Sequence, residues 1–207
     1  MTILTLKKEK QHLVRVTAED GREFLLDRTA VKDKGLYGGL TLSEEEFEEL
    51  QEYSQYVRAK ERALWYLDRR DHTEKGLRDK LRRAGFEENA ILRVLDFLRE
   101  YKMVDDERFA RRFWEQCAAR NVSRRATFAK LLEKGVPQEM IRTVLDEQPV
   151  DEEAQVRALL EKKYAKLLGE KESTQKVYAA LMRKGFSYSA VRAVLKAYSE
   201  EFEFSEE

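Results

Sequence analysis

The residues that most often catalyse reactions or bind metal ions are few and scattered in this chain. Its two histidines, His12 and His72, stand 60 residues apart, and Cys117 is its one cysteine. A zinc site needs several Cys or His side chains at close spacing, which these three residues do not provide. The phosphate-binding patterns GxxxxGK[ST] and GxGxxG and the nucleophile pattern GxSxG are also missing from the sequence. We therefore expect a protein that is not an enzyme and holds no metal or cofactor.

The carboxylate pair Asp105-Asp106 has two interpretations. Paired carboxylates can bind a cation or act as a general acid and base. The pair also stands directly before an apolar pattern of helical spacing that begins near Phe109. Acidic residues are favoured at a helix N-terminus because they interact well with the helix dipole. Capping of a helix is therefore the favoured interpretation of this pair.

Arginine and lysine are the side chains with the clearest potential for binding. Residues 58–83 contain ten Lys or Arg against five Asp or Glu, and residues 107–134 contain eight against three. The flanks are acidic, with six glutamates in residues 44–52 and five in residues 200–207, although the whole chain has 40 residues of each sign. Guanidinium groups bind phosphate and carboxylate equally well. The basic middle thus indicates a nucleic acid, an acidic protein surface, or simply solvated helices.

These basic residues lie within a sequence that repeats three times with an offset of 50 and no gap. The shared pattern is L-x3-G-[FV]-x4-[IV]-x2-V-L, and its glycines are Gly85, Gly135 and Gly185. A fixed period of this size is typical of a tandem array, in which each unit leaves an apolar face for its neighbour to cover. Such arrays usually present an extended surface to a large partner.

Each repeat predicts a longer helix, a short helix, a glycine turn and a second short helix. Thr73 and Ser123 stand where N-caps are expected, and Ser173 holds the same place in the third repeat. The glycines stand at C′ positions, where a positive φ favours glycine. Cys117 aligns with Leu67 and Leu167, which predicts a core position. A pair of short helices fits plain bundle packing, which we favour, or a DNA-reading helix-turn-helix.

The N-terminal part has a different pattern. Short β-type runs occupy residues 3–6, 12–17 and 23–26, and Asp20-Gly21 between the last two is a hairpin-turn signal. Ser43 followed by Glu46 is a capping box that opens a helix running to about Arg70. We predict a mainly α protein: an elongated, curved array of three three-helix repeats preceded by a small antiparallel sheet. The predicted segments are the β extension 1–42, the repeats 43–103, 104–149 and 150–200, and an acidic tail 201–207.

One helical face changes character along the array. In the first repeat Lys75, Arg78 and Arg82 lie roughly opposite the apolar positions of their helix, given about 100° per residue. The positions that match Arg78 and Arg82 are apolar in the other repeats: Phe128 and Leu132, then Tyr178 and Met182. We expect Leu132 and Met182 to be buried against neighbours, whereas Phe128 and Tyr178 fit burial or partner contact equally.

The compartment follows from the cysteine count and the hydropathy. A lone cysteine cannot form an internal disulfide bond, which favours a reducing compartment. The sequence has no charged start followed by an apolar segment, and no apolar run of about 18 residues. We expect a soluble cytoplasmic protein and a monomer.

Several motifs along the repeats carry a resemblance to a known family: Ala63-Leu64-Trp65-Tyr66-Leu67 with Arg70, Thr73-Glu74 with Leu77, Lys80-Leu81 with Gly85-Phe86, residues 103–110 (MVDDERFA), and Lys130-Leu131 with Lys134-Gly135-Val136 and Ile141. Together these motifs resemble the RecX family of recombination regulators, over about residues 55–200. Near the end of the second repeat's first helix, where a small residue or glycine is expected, this chain has Asn121-Val122.

The resemblance implies a non-enzymatic regulator of homologous recombination and the SOS response. Family members bind RecA, lie along the helical groove of its filament on single-stranded DNA, and lower its ATPase, strand-exchange and coprotease activities. The alternative is a protein that binds single- or double-stranded DNA directly through helix-turn-helix-like units. The side chains expected to contact the partner are Arg69, Arg70, Lys75, Arg78 and Arg82 in the first repeat and Arg111, Arg112, Arg120, Arg124 and Arg125 in the second.

Overall fold

The computed structural model describes residues 1–164 and 171–204 and is mainly helical, with one small sheet at the N-terminus. This confirms the predicted fold class. The chain forms two compact units, Met1–Asp105 and Asp106–Glu207. The first unit contains the sheet and the first repeat, and the second unit contains the other two repeats. The elongated, curved arrangement stays a prediction, and so do the segment boundaries, of which the acidic tail lies partly outside the described residues.

The N-terminal sheet has three antiparallel strands in the order β1-β2-β3. They are Ile3–Lys8, Leu13–Ala18 and Glu23–Asp27. Gly21 turns the chain between β2 and β3 with a φ of +83°, as its Asp-Gly signal predicts. One face of the sheet buries Ile3, Val14, Val16 and Leu26 against Phe47 and Leu50 of the following long helix. A small sheet is marginal in water by itself, so this packing stabilises it.

Helix α1, Arg28–Asp33, follows β3 directly and was not predicted. Asp27 is both the last residue of β3 and the N-cap of α1, and its carboxylate accepts a hydrogen bond of 2.7 Å from the Thr29 amide. The Asp27 amide donates to the Ser54 hydroxyl at 2.7 Å. Because the N-cap of α1 is also the last residue of β3, no loop residues separate the two elements, and the sequence shows no signal for the start of a helix there.

The first repeat consists of α2, α3 and α4, which span Glu44–Arg69, Glu74–Arg83 and Glu88–Glu100. The capping box at Ser43 and Glu46 is present, and Thr73 caps α3 by accepting from the Gly76 amide. Gly85 has a φ of +85° in the turn between α3 and α4. Both features confirm the prediction. The core of this repeat contains Ala59, Ala63, Leu77, Leu81, Ala90, Ile91, Val94, Leu95, Leu98 and Val104.

The second repeat consists of α5, α6 and α7, which span Asp106–Ala118, Arg124–Glu133 and Gln138–Asp146. Ser123 caps α6 by accepting from the Ala126 amide, as predicted. Asn121 has a φ of +52°, which asparagine tolerates better than most residues, so it replaces the expected glycine. Cys117 is 5% exposed, which confirms its core position.

The third repeat begins with α8, Glu152–Leu159, which continues into a π-helical turn, Leu160–Tyr164. Helices α9, Lys171–Arg183, and α10, Tyr188–Phe204, complete it. The prediction that Ser173 takes the capping place is wrong, because it lies inside α9. Lys171 and Glu172 extend this helix, since both are strong helix formers, whereas the matching pairs Asp71-His72 and Asn121-Val122 are weaker ones. Leu167 lies outside the described residues.

The face of α6 and α9 that turns apolar is only partly buried. Leu132 is 47% exposed, so the prediction of its burial is wrong. It directly follows the buried Leu131, and about 100° of helical rotation turns it outward. Met182 and Tyr178 pack partly against the core of the third repeat, and Phe128 packs partly against that of the second.

Candidate partner-binding surface

Arg78 and Arg82 of α3 both bind the carboxylate of Glu88 at the start of α4. Arg78 Nε donates to Glu88 Oε1 at 2.7 Å, and Arg82 Nη2 donates to Glu88 Oε2 at 2.9 Å. The hydrogen bonds from Arg82 and then Arg78 hold the pKa of the Glu88 carboxyl below its usual value. Arg82 Nη1 also lies 3.8 Å from Asp79 Oδ1, so the predicted basic face contains two carboxylates that balance the charges of its two arginines.

Arg69 lies over the ring of Trp65, one turn earlier on α2. Its guanidinium carbon is 3.4 Å from the ring centroid, and Nη1 donates to the Trp65 carbonyl at 3.1 Å. Arg62 also approaches this ring, at 5.6 Å. Trp65 is 45% exposed, and Trp and Arg are the residues that most often dominate the energetics of protein interfaces. Trp65 was not predicted as a contact, although its spacing of three and four from the two arginines indicates such a group.

Arg70 and Lys75 complete the predicted set of the first unit. Both side chains are exposed, and neither makes a hydrogen bond or ion pair within residues 1–164 and 171–204. Lys75 lies on α3 three residues before Arg78, so the two share a helical face. These two cations are accessible to a partner without breaking an internal contact.

Arg111 on α5 lies between two carboxylates. Its Nη2 is 2.7 Å from Glu107 Oε1, and its Nη1 is 2.6 Å from Glu147 Oε2. The hydrogen bonds from Glu147 and then Glu107 raise the pKa of the Arg111 guanidinium. Because two acids surround one base, this cluster carries one negative charge. It is the least suited of the predicted positions to bind an anion.

The remaining predicted residues of the second repeat differ in their contacts. Arg124 of α6 forms an ion pair with Asp146 at the end of α7. Arg112 is exposed on α5. Arg120 and Arg125 are exposed, and in the described part of the chain neither makes an ion pair or a hydrogen bond through its side chain. The structure thus separates Arg120 and Arg125, which can accept a new partner, from Arg111 and Arg124, which already have one.

Arg120 lines a cavity of about 530 Å³ within the second repeat, which we call the basic cavity. Lys130 and Lys134 of the α6 region also line it, with Glu133 as its one acidic group among the lining residues. The Lys134 ammonium lies 5.3 Å from the centroid of the Phe113 ring. Lys130 and Lys134 belong to the motifs of the family resemblance and are not among the predicted contacts, although their spacing of four places them on one face.

Arg124 and Arg125 line a second cavity of about 480 Å³, which we call the joint cavity because both the second and the third repeat contribute to it. The two repeats are tied together there, since Ser123 Oγ donates to the Lys184 carbonyl at 2.6 Å. A Cβ atom on Gly185 would lie 2.9 Å from Ser123 Oγ, so this close approach requires glycine. The lining residues are Arg124, Arg125, Phe128, Arg142, Leu145, Asp146, Glu152, Gly185, Phe186 and Ser187.

No group of three or more His, Cys, Asp or Glu side chains within residues 1–164 and 171–204 could hold a metal ion. Nor do those residues include a helix whose length and apolar character would let it cross a bilayer.

Comparison with protein families identifies each of the three repeats. Residues 59–98 match the first three-helix domain of RecX, residues 105–145 the second, and residues 151–195 the third. A regulatory protein RecX from Clostridium perfringens strain SM101 is 29% identical over 202 residues, which cover 95% of this chain and 94% of that protein. A regulatory protein RecX from Caldanaerobacter subterraneus subsp. tengcongensis is 33% identical over 160 residues, or 76% of this chain and 81% of that protein.

Solved structures show the same fold. A crystal structure of regulatory protein RecX aligns with a TM-score of 0.69 at 21% identity and covers 93% of this chain and 98% of its own. RecX from Lactobacillus salivarius aligns with a TM-score of 0.62 at 19% identity, over 70% of this chain and 97% of its own. With three consecutive domain matches and a relative above 30% identity over most of both chains, this protein belongs to the RecX family of regulatory proteins.

Proposed function

We propose that this protein regulates homologous recombination and the SOS response by binding the RecA filament in its helical groove. Binding there lowers the ATPase, strand-exchange and coprotease activities of RecA. The observation that supports this most is the run of all three RecX domains in order along one chain. A repeat array suits a polymeric partner because equivalent modules can meet successive copies of the same surface.

The proposed mechanism is occupancy of the filament, without a reaction catalysed by this protein. The exposed cations Arg70, Lys75, Arg120 and Arg125 supply charge that needs no internal rearrangement before it meets a carboxylate. Arg78 and Arg82 can join them by exchanging Glu88 for an acid of the partner. Such an exchange replaces one ion pair by another and therefore adds more to specificity than to affinity.

Direct DNA binding is the second candidate, and the charges of two of the three helices that would enter a DNA groove do not favour it. The last helix of a helix-turn-helix unit faces the bases and phosphates. On α4 the exposed or half-exposed charged residues are Glu88, Arg93, Asp96, Arg99 and Glu100, three acids against two bases. On α7 Glu139 and Asp146 outnumber Arg142. A polyanion would meet repulsion at both helices.

The test is RecA ATPase on single-stranded DNA, titrated with this protein at two salt concentrations. We expect the unmodified protein to inhibit the ATPase. The triple variant Lys75→Glu/Arg120→Glu/Arg125→Glu should need at least about tenfold more protein for half-inhibition, which corresponds to a loss of about 1.4 kcal/mol of binding free energy. The matched control is Lys7→Glu/Lys8→Glu/Lys10→Glu, which changes the net charge equally at exposed lysines outside the three matched domains. The control should inhibit like the unmodified protein.

Three results would count against this function. Absence of any inhibition by the unmodified protein removes the filament proposal. Equal loss in both triple variants would mean that net charge alone, and not the predicted surface, matters. Tight binding to free single-stranded DNA that weakens with salt, by a slope near −0.7 for each phosphate contact, would support the direct binder instead.

A further inference from the structure

We infer that the joint cavity receives an acidic peptide segment of the partner protein, with a large apolar side chain inside the cavity and a neighbouring carboxylate on Arg125. This inference rests on the proposed function, because it describes how a filament protein would be held. The residues that carry it belong to α6, to α7 and to the turn between α9 and α10. All of them lie in one compact unit.

The cavity has the size and the lining of a binding pocket for a side chain. Its volume of about 480 Å³ falls within the 300–1,000 Å³ that is usual for ligand pockets. Phe128 provides accessible apolar surface, whereas Leu145 and Phe186 line the cavity with only 2% and 3% of their surface exposed. Leu145 and Phe186 belong to the buried cores of their own repeats and are held in place, whereas Phe128 is only partly buried. A large apolar side chain would cover the part of Phe128 that water now reaches.

The charges around the cavity point to a carboxylate as the neighbouring group. Arg124 is paired with Asp146, and Arg142 is paired with Glu139. The Glu152 carboxylate accepts a hydrogen bond of 3.2 Å from the Ser187 amide. Of the three arginines that line the cavity, Arg125 is the one whose side chain forms no ion pair or hydrogen bond within the described ranges. It can therefore bind a partner carboxylate with both of its terminal nitrogens.

A protein segment fits these charges better than a nucleic acid does. The lining has three arginines against the carboxylates of Asp146 and Glu152, and two of these arginines are already paired. The cavity therefore offers one available guanidinium among its lining residues, which matches a single carboxylate better than a chain with a phosphate at every nucleotide. A peptide can place a single acid beside Arg125 and keep the rest of its contact neutral. Burial of an apolar side chain of the peptide against the apolar lining residues is favourable by about 25 cal/mol for each Å² of apolar surface removed from water.

The chemistry of this site is specific to the second repeat. The positions that match Arg125 and Phe128 are Lys75 and Arg78 in the first repeat and Gln175 and Tyr178 in the third. The cavity is also preformed, because the Ser123–Lys184 hydrogen bond and the close approach of Gly185 fix the two repeats beside it. Preformed pockets bind more tightly because less ordering accompanies binding.

The experiment measures inhibition of RecA ATPase on single-stranded DNA by Arg125→Glu and by Phe128→Ala. We expect each to need about tenfold more protein for half-inhibition. The matched controls are Arg157→Glu, an exposed arginine of the same compact unit that lies outside this cavity and outside the predicted contacts, and Leu132→Ala, an exposed apolar residue one turn after Phe128 on α6. Each control variant should lose clearly less inhibition than the variant to which it is matched. Arg125 is exposed, so its variant tests the inference even if Phe128→Ala folds poorly.

A second measurement identifies the occupant. A photoreactive benzoylphenylalanine at position 142, an exposed lining residue whose arginine is already paired with Glu139, should crosslink to a RecA peptide that contains Asp or Glu next to a large apolar residue. Crosslinks to DNA alone, or inhibition by both variants equal to that of the unmodified protein, would overturn the inference and leave the proposed function standing. If the unmodified protein does not inhibit RecA at all, the proposed function itself fails.

Discussion

At the scale of single residues, the main finding is that the two predicted arginines of α3 are already engaged. Glu88 accepts hydrogen bonds from both Arg78 and Arg82. The sequence indicates the two arginines by their helical spacing, but Glu88 lies beyond a turn. Only the conformation of Gly85, with its φ of +85°, brings that carboxylate back over α3. Sequence reasoning could therefore predict the charged side chains and not their partner.

This arrangement predicts how stability depends on pH. The pKa of Glu88 is lowered in the folded protein, so its ion pairs stabilise the fold fully above the unfolded value of about 4.3. That stabilisation is lost as the pH falls through the lower folded pKa. Glu88→Gln should therefore be less stable than the unmodified protein at pH 7, and the difference should shrink as the pH falls below about 4.3. Hydrogen exchange of peptides from α3 and α4 measures it locally.

The control for that measurement is the neighbouring residue. Glu87→Gln removes the same charge at an exposed side chain that makes no capping hydrogen bond. It should leave hydrogen exchange almost unchanged at both pH values. If Glu88→Gln is less stable than the unmodified protein by the same amount at pH 7 and at pH 3, the stabilisation does not come from the ionised carboxylate.

At the scale of elements, the turns before α4 and α10 are equivalent in sequence and in backbone conformation but differ in their surroundings. Gly85 and Gly185 have φ values of +85° and +86°. A Cβ on Gly85 would meet no atom within 4 Å in the described part of the chain, whereas one on Gly185 would meet Ser123 Oγ at 2.9 Å and Arg125 Cβ at 3.3 Å. Gly85 is needed only for the conformation of its turn, whereas Gly185 also allows the second and third repeats to pack closely.

We therefore expect Gly185→Ala to cost more stability than Gly85→Ala. Gly85→Ala adds only the strain of an alanine at positive φ, about 1–2 kcal/mol. Gly185→Ala adds the same strain and a clash, roughly 1–3 kcal/mol more, because Ser123 is held by its bond to Lys184 and cannot easily move. In urea, the ¹⁹F signals of 5-fluorotryptophan at Trp65 and Trp114, one in each unit, report the two sites separately. Equal losses of stability in the two variants would contradict the close packing of Gly185 against Ser123.

Most elements could be predicted from the sequence because their signals are local. Caps at Ser43, Thr73 and Ser123 and the glycines at C′ follow from the hydrogen-bonding needs of helix ends. The misses have the opposite character. Helix α1 shares its cap with a strand, and the π-helical turn after α8 leaves no residue pattern that separates it from an α-helix. Where one residue carries signals for two structures, the spacing of residue types does not show which structure forms.

At the scale of the whole molecule, the first unit has closed cores of its own. Helix α2 joins them, because its N-terminal part contributes Phe47 and Leu50 to the core under the sheet and its later part contributes Ala59 and Ala63 to that of the first repeat. Every buried residue of both cores lies before residue 106. A boundary at Asp105 therefore cuts through neither core.

This predicts that residues 1–105 fold when produced alone. The fragment should show helical and strand signals in far-ultraviolet circular dichroism and one cooperative urea transition, followed at Trp65, its single tryptophan. A fragment that ends at residue 93, inside α4, is the control and should not fold, because it lacks the buried Leu95 and Leu98. A gradual, non-cooperative transition of fragment 1–105 would contradict the independence of the unit.

The number and order of the repeats could be read from the period of 50, whereas their grouping could not. In sequence the three repeats look equivalent, and nothing in the pattern indicates that the second and third share one compact unit. What distinguishes that joint is the environment of Gly185 and the second bond made by Ser123. These are tertiary contacts between residues about 60 positions apart, which no local pattern encodes.

The pairing of acids with the predicted cations has a consequence for how fast a partner is found. Residues 1–105 contain 21 basic and 22 acidic residues, and residues 106–207 contain 19 and 18, so neither unit carries an appreciable net charge. Long-range attraction accelerates encounters only when a surface projects a field of one sign into the solvent. Association should thus proceed at the unsteered rate of about 10⁵–10⁶ M⁻¹s⁻¹. Free RNA and chromosomal DNA, which are abundant polyanions of a cell, would then attract this protein only weakly from a distance.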